Sequence, residues 1–122
     1  SDRPHPCPKR HILCGQDVLI ALQNVIYIEK RRNQCVFHKR DEEICCYEPL
    51  KNVYERLDND VFMYTHQGYI ANFNYIKEVK KDVVCFGRGM EVPLSRKYHD
   101  QIKELHLDKI RRAYKEQELN YN

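Results

Sequence analysis

Val61-Phe62-Met63-Tyr64-Thr65-His66-Gln67-Gly68-Tyr69-Ile70-Ala71-Asn72-Phe73-Asn74-Tyr75-Ile76 is the stretch that decides the fold class. It is dense in β-branched and aromatic residues, and Gln67-Gly68 breaks it near its middle, so residues 61–66 and 69–76 read as the two arms of a β-hairpin. Along the second arm Tyr69, Ala71, Phe73 and Tyr75 share one face at the period of a strand. A third strand is expected at 83–86. It ends at Gly87-Arg88-Gly89, a glycine-rich loop that lacks the spacing and the lysine of a phosphate cradle.

Working outward, helices should flank this sheet. Ser95 can cap a long C-terminal helix over about 96–118, with Tyr98, Ile102, Leu105, Ile110 and Tyr114 as its apolar stripe. Pro49 suits the first turn of a second helix, whose apolar face is Leu50, Val53, Tyr54 and Leu57. Asp17 can cap a third, running to about Lys30 on Val18, Leu19, Leu22, Val25, Ile26 and Ile28, although the β-branched residues of 25–28 also suit the start of a strand. Short strands are expected at 34–38 and 43–47, joined across Lys39-Arg40-Asp41-Glu42. No internal repeat is evident. The reading is a small disulfide-stabilised α+β domain over residues 1–122, an antiparallel sheet of about three to five short strands packed with about three helices. Its proline-rich first 16 residues (Pro4, Pro6, Pro8) would be pinned to the body by a bridge.

Six cysteines among 122 residues set the expected compartment. An even count in a small basic chain suggests a cross-linked extracellular fold. Cys7, Cys14, Cys35, Cys45, Cys46 and Cys85 are therefore read as disulfide cysteines, with Cys45 and Cys46 on opposite faces of their strand. The alternatives are buried free thiols, or zinc held by Cys7/His11/Cys14 and Cys35/His38, spacings that depart from the usual knuckles. A start at Ser1-Asp2-Arg3 fits a mature secreted chain, no Asn-x-Ser/Thr sequon is present, and no stretch approaches the length of a membrane span. Mean hydropathy is -0.78 with 42% apolar residues, yet the clustering of nine Tyr and four Phe argues against disorder.

The net charge is +3, all of it in the second half: residues 1–61 hold ten basic and ten acidic residues, residues 62–122 eleven and eight. That is weak steering for an anionic partner, and it disfavours nucleic acid. Among candidate chemical groups, His66 lies by the hairpin turn, while His99-Asp100 and His106 lie on the long helix. His99 and His106 are seven apart, roughly 10 Å along a helix, too far to share a metal. The acidic runs Asp41-Glu42-Glu43 and Asp58/Asp60 read as turn and helix-end solvation. Cys85-Phe86-Gly87-Arg88-Gly89 followed by Tyr98-His99-Asp100 resembles in part the calcium loop and His-Asp pair of secreted phospholipases A2. Phe86 separates the cysteine from the glycine, and the cysteine pair before His-Asp is missing, so no activity is carried over.

The preferred expectation is a secreted signalling, cytokine-like or effector module that binds a protein through a rigid surface, without catalysis and without a cofactor or metal. Tyr64, Tyr69 and Tyr75 would be its aromatic anchors, and Lys77, Lys80, Lys81, Arg111 and Arg112 would steer an acidic partner. A homodimer through the last helix is compatible with this. A small basic hydrolase or nuclease using His66 or His99 is one alternative, and it predicts a shared concave pocket. The other is an intracellular structural, zinc-binding or nucleic-acid-binding protein. Nucleic-acid binding predicts a continuous positive surface and affinity that falls steeply with salt.

Overall fold

The computed structural model describes residues 10–120. Three layers are stacked through a central five-stranded antiparallel sheet of order β5-β4-β3-β7-β6. Its strands are β3 (Tyr27–Arg31), β4 (Gln34–His38), β5 (Glu43–Cys46), β6 (Phe62–His66) and β7 (Tyr69–Asn72). On one face lie the hairpin β1–β2 (His11–Cys14, Val18–Ala21) and the short helix α1 (Leu50–Tyr54). On the other lie the three-stranded sheet β8–β9–β10 (Glu78–Val79, Val83–Gly87, Met90–Pro93) and the helix α2 (Arg96–Asn120). This is an α+β domain with antiparallel sheets and a long C-terminal helix.

Strand alternation explains the layering. Ile28, Cys35, Phe37, Cys46, Phe62 and Ile70 project into one core with Ile12, Cys14, Ile20, Leu22 and α1. Tyr27, Met63, Tyr69 and Ala71 project the opposite way, against Val79, Val84, Phe86, Val92 and Ile102. A one-residue slip of β3 or β7 would exchange the two sets, so both faces specify the register.

The structure corrects the first expected helix. Residues 18–31 form β2, a 3-10 turn at Leu22–Asn24, and β3. Leu19, assigned to the buried stripe, is 66% exposed, whereas Ile20, outside that stripe, is fully buried. Val25, Ile26 and Ile28 are β-branched, and here their preference for extended backbone outweighs the helical spacing. The same strand, 3-10 turn, strand corner recurs at 69–79, which is why the second hairpin arm stops at Asn72. Asn72 joins the two corners: its Nδ2 donates to the Val25 carbonyl at 2.9 Å, its Oδ1 accepts from the Asn74 N–H at 3.0 Å, and its own N–H donates to the Ile26 carbonyl. These corners are the internal repeat that the residues alone did not disclose.

The remaining elements follow the sequence more closely. The turn at Gln67-Gly68 closes β6 on β7, with a bulge between Tyr64 and His66 that leaves Thr65 buried and its Oγ1 without a hydrogen-bond partner. Pro49 takes an extended conformation as the N-cap of α1, and Leu50, Val53 and Leu57 are buried. The helix α2 begins where expected, but its buried residues are Ile102 and His106, and every residue from Ile110 to Asn120 is exposed. No helix among the described residues is long and apolar enough to cross a membrane.

His106 ties α2 to the lower layer with its Nδ1 unpaired. Burial, together with the charges of Lys109 and Lys103, pushes its pKa below the ordinary 6.5, against the opposing pull of a hydrogen bond at Lys77. The unfolded chain therefore takes up this proton first as pH falls. The histidine's contribution is complete above about pH 6.5 and is lost as pH drops through the lower folded value. Denaturant titrations should show stability falling as pH drops below about 6.5. His106→Leu should flatten that part of the profile; an unchanged acid slope in the variant would place the sensitivity elsewhere.

Candidate nucleic-acid interface

One end of the central sheet brings together three separate elements, two of them cationic. The β3–β4 turn carries Lys30, Arg31 and Arg32, and Arg32 adopts a left-handed backbone with φ of 59°. Beside it lies the His66-Gln67-Gly68 turn: the Lys30 N–H donates to the Gly68 carbonyl at 2.8 Å, and the Gly68 N–H donates to His66 Nδ1 at 3.1 Å. A side chain at position 68 would meet Lys30 Cβ and His66 Nδ1, each at 3.8 Å, so the two turns are in ordinary contact there. The first turn of α2 arrives next to them, because the Ser95 N–H donates to the Thr65 carbonyl at 2.8 Å. That places the exposed Arg96 and Lys97 at the same end.

Aromatic stacking fixes these elements to one another. Tyr64 on β6 lies between Tyr54 of α1 (ring centroids 4.5 Å apart) and Tyr98 of α2 (6.1 Å). The Lys97 ammonium sits 5.3 Å from the centre of the Tyr98 ring. Burial, with the neighbouring Tyr54 and Tyr98, pushes the Tyr64 phenol up, so it stays neutral. A hollow of about 520 Å³ opens between the elements, lined by Lys30, Arg32, Gln34, Lys51, Tyr64 and Gln67 among others.

The charges at this end are unequal in availability. Arg31 is held by Glu29 at 2.9 Å and Glu43 at 3.2 Å. Burial works against the Glu29 charge, but the hydrogen bond from His38 and the charge of Arg31 outweigh it and hold the carboxyl below its usual range. Lys30, Arg32, Lys51, Arg96 and Lys97 have no ion-pair partner among the described residues. Five uncompensated cations on three braced elements form a surface suited to a polyanion, with Asn33 and Gln67 exposed beside them as amide donors and acceptors.

The residues singled out as protein-binding do not gather there. Tyr64 is half-buried in the stack just described. Tyr69 donates to Glu29 at 3.4 Å and packs on Tyr27, and Tyr75 donates to the Gln23 carbonyl at 2.9 Å. Lys77, Lys80 and Lys81 are exposed around β8, and the Lys77 side chain lies against Gly87. Arg111 pairs with Asp108 and Glu104 on α2, and Arg112 is exposed beside it. His66 braces its own turn, and His99 pairs with its neighbour Asp100 at 3.0 Å.

Of the six cysteines, Cys7 lies outside the described residues. Cys14 and Cys46 face each other with Cα atoms 6.1 Å apart, within the span of a disulfide. Among the described residues Cys35, Cys45 and Cys85 form no bridge, so the expected three-bridge framework is absent there. The expected zinc groupings are split as well. His11 is exposed and Cys14 buried on alternate faces of β1, and His38 and Cys35 are likewise an odd step apart on β4.

Comparison with known proteins identifies a family of DNA-binding domains. The family described as the LytTr DNA-binding domain matches residues 15–106. A sensory transduction protein LytT of Bacillus cereus is 25% identical over 93 residues, covering 72% of this chain, and the match takes in 38% of that protein's length. The chain thus spans about two-fifths of the curated relative. A solved LytTr DNA-binding domain of a methyl-accepting/DNA response regulator from Bacillus cereus shares the fold. It superposes with a TM-score of 0.67 at 22% identity, over 80% of this chain and 96% of that one.

These findings correct three expectations. The secreted, cytokine-like or effector module gives way to a DNA-binding domain, and nucleic acid, disfavoured from net charge, becomes the partner that the family implies. An extracellular location falls with them, since such a domain works where DNA is. The physical reasons are plain. Net charge is silent about where cations lie, and cysteine parity marks a compartment only when the thiols are bridged. The signal that could have been read was Lys30-Arg31-Arg32-Asn33 as a hairpin turn leading into the strand at 34–38; the expected helix instead ran to about Lys30.

Proposed function

The chain belongs to the family of LytTr DNA-binding domains, and from that premise we propose that it grips duplex DNA with the cationic end of its five-stranded sheet. The observation that supports this is the convergence of the β3–β4 turn, the β6–β7 turn, α1 and the start of α2, which bring Lys30, Arg32, Lys51, Arg96 and Lys97 together without carboxylate partners. A two-stranded ribbon fits the major groove. In this reading Lys30, Lys51 and Lys97 neutralise backbone phosphates as point charges, and Arg32 and Arg96 offer the forked geometry that reads a guanine edge. Asn33 and Gln67 supply amides suited to adenine. Tyr54, Tyr64 and Tyr98 stack on one another, whereas Tyr47, 81% exposed beside Arg32 and Asn33, is open to contact.

As the share of the relative that it spans suggests, the domain would serve as the DNA-reading part of a longer regulator that passes a sensory signal to transcription. We also take residues 1–122 as one unit.

Titration of a fluorescent duplex at increasing salt tests the reading. If all five cations meet phosphates, affinity should fall on the order of 500-fold between 50 and 200 mM salt, from a slope of about -0.9 per contact. Affinity that is indifferent to salt, or absent for duplexes of every sequence tried, would remove this surface as a DNA site.

A further inference from the structure

Three elements meet around one carboxylate, that of Glu48, which also lines the hollow shared with Lys30, Arg32 and Lys51. Glu48, between β5 and α1, has its Oε2 3.4 Å from Cys14 Sγ, 3.8 Å from Cys46 Sγ and 3.3 Å from the Gly15 N–H. Its Oε1 accepts from Arg56 at 2.5 Å, and the same guanidinium donates to the Leu13 carbonyl. Cys14 and Cys46 are 1% and 2% exposed. Cys35 is directly opposite Cys46 across β4–β5, but its Sγ donates to the Glu48 carbonyl oxygen at 3.0 Å, and burial followed by the Glu48 charge pushes its thiol up to about 11.

Two features of this cluster bear on its chemistry. Cys14 ends β1 and Cys46 ends β5, so a bond between them clamps the β1–β2 hairpin to the edge strand of the central sheet. With the sulfurs reduced, nothing at the site is orphaned: Glu48 can accept from both thiols while Gly15 and Arg56 continue to hold the hairpin. Both redox forms are thus compatible with the same fold. Because a DNA-binding domain works where thiols are kept reduced, the pair there begins as a dithiol.

We propose that Cys14 and Cys46 form a reversible oxidation site, a dithiol that a hydroperoxide converts into a disulfide locking the β1–β2 hairpin onto the sheet. One thiolate attacks the peroxide, the O–O bond breaks, and a sulfenic acid and one water or alcohol are formed. The second thiolate attacks that sulfur, the S–S bond forms, and a second water leaves. Two thiols lose two electrons and two protons, and the hydroperoxide takes them up. A dithiol reductant reverses the change by two thiol–disulfide exchanges. The 32-residue separation makes the closed loop long enough for a large effect on the unfolded chain.

The test uses the full chain, reduced anaerobically and then treated with hydrogen peroxide. Expected are a loss of about 2 Da, a linked peptide pair containing Cys14 and Cys46, and a melting midpoint higher by about 10 °C or more, all undone by dithiothreitol. Cys14→Ser should abolish the shift, and Cys45→Ser, which removes the exposed neighbour, should keep it. Linkage of a different pair, oxidation to sulfinic acid in place of a bond, or a zinc ion retained by the reduced chain at this pair would each overturn the proposal. None of these readouts involves DNA, so the site stands or falls apart from the DNA-binding surface.

Discussion

Replacing Arg32 with alanine is expected to weaken duplex binding about 5- to 150-fold, the range for losing one base-reading or strongly held phosphate contact. Arg32 tops the β3–β4 turn, is exposed, and has no carboxylate partner among the described residues. Arg96→Ala should act in the same direction from α2. The salt slope tells the two modes of contact apart. If Arg32 holds a phosphate, the slope falls by about 0.9 and every sequence loses alike. If it reads a base, the slope stays and discrimination at one position relaxes. Arg111→Ala is the control, because that arginine is already paired with Asp108 and Glu104 on the exposed side of α2. Wild-type affinity in the Arg32 and Arg96 variants would sink the proposed interface.

Ile102→Ala should destabilise the domain by about 2–5 kcal/mol, the cost of truncating a fully enclosed aliphatic side chain. Ile102 is 1% exposed and is the apolar residue through which α2 enters the second core. Tyr114, two turns beyond the last buried residue of that helix, is 65% exposed, and Tyr114→Ala should stay within about 0.5 kcal/mol of the parent. Urea unfolding of the two variants decides the matter. Comparable losses would mean that the outer half of α2 packs on something in solution.

That contrast shows how far the residues could be read directly. The apolar stripe of α2 was legible as a helix, since five apolar residues recur at its spacing. Which of them the domain covers was not, because periodicity marks a face and says nothing of how far the partner layer extends. The hairpin about Gln67-Gly68 was legible for a similar reason: local alternation and a turn pair are properties of neighbouring residues. Residues 18–31 were misread because Val18, Leu22, Val25 and Ile26 satisfy a helical period, while Val18/Ile20 and Ile26/Ile28 equally satisfy a strand. Pairing of β3 with both β4 and β7 settles that ambiguity, and those partners lie on either side of it in the chain.

By itself the sequence determined an α+β chain with a central hairpin, a helix begun near Pro49 and a long terminal helix from Ser95, because turn chemistry, capping and local periodicity are written within a few residues. The tertiary structure alone decided the five-stranded order, the meeting of Cys14 with Cys46, and the gathering of Lys30, Arg32 and Lys51 about one hollow near the start of α2. A net charge of +3 is a sum over the whole chain. The field a polyanion meets depends on where those charges stand, and only the packing of distant segments brings them together.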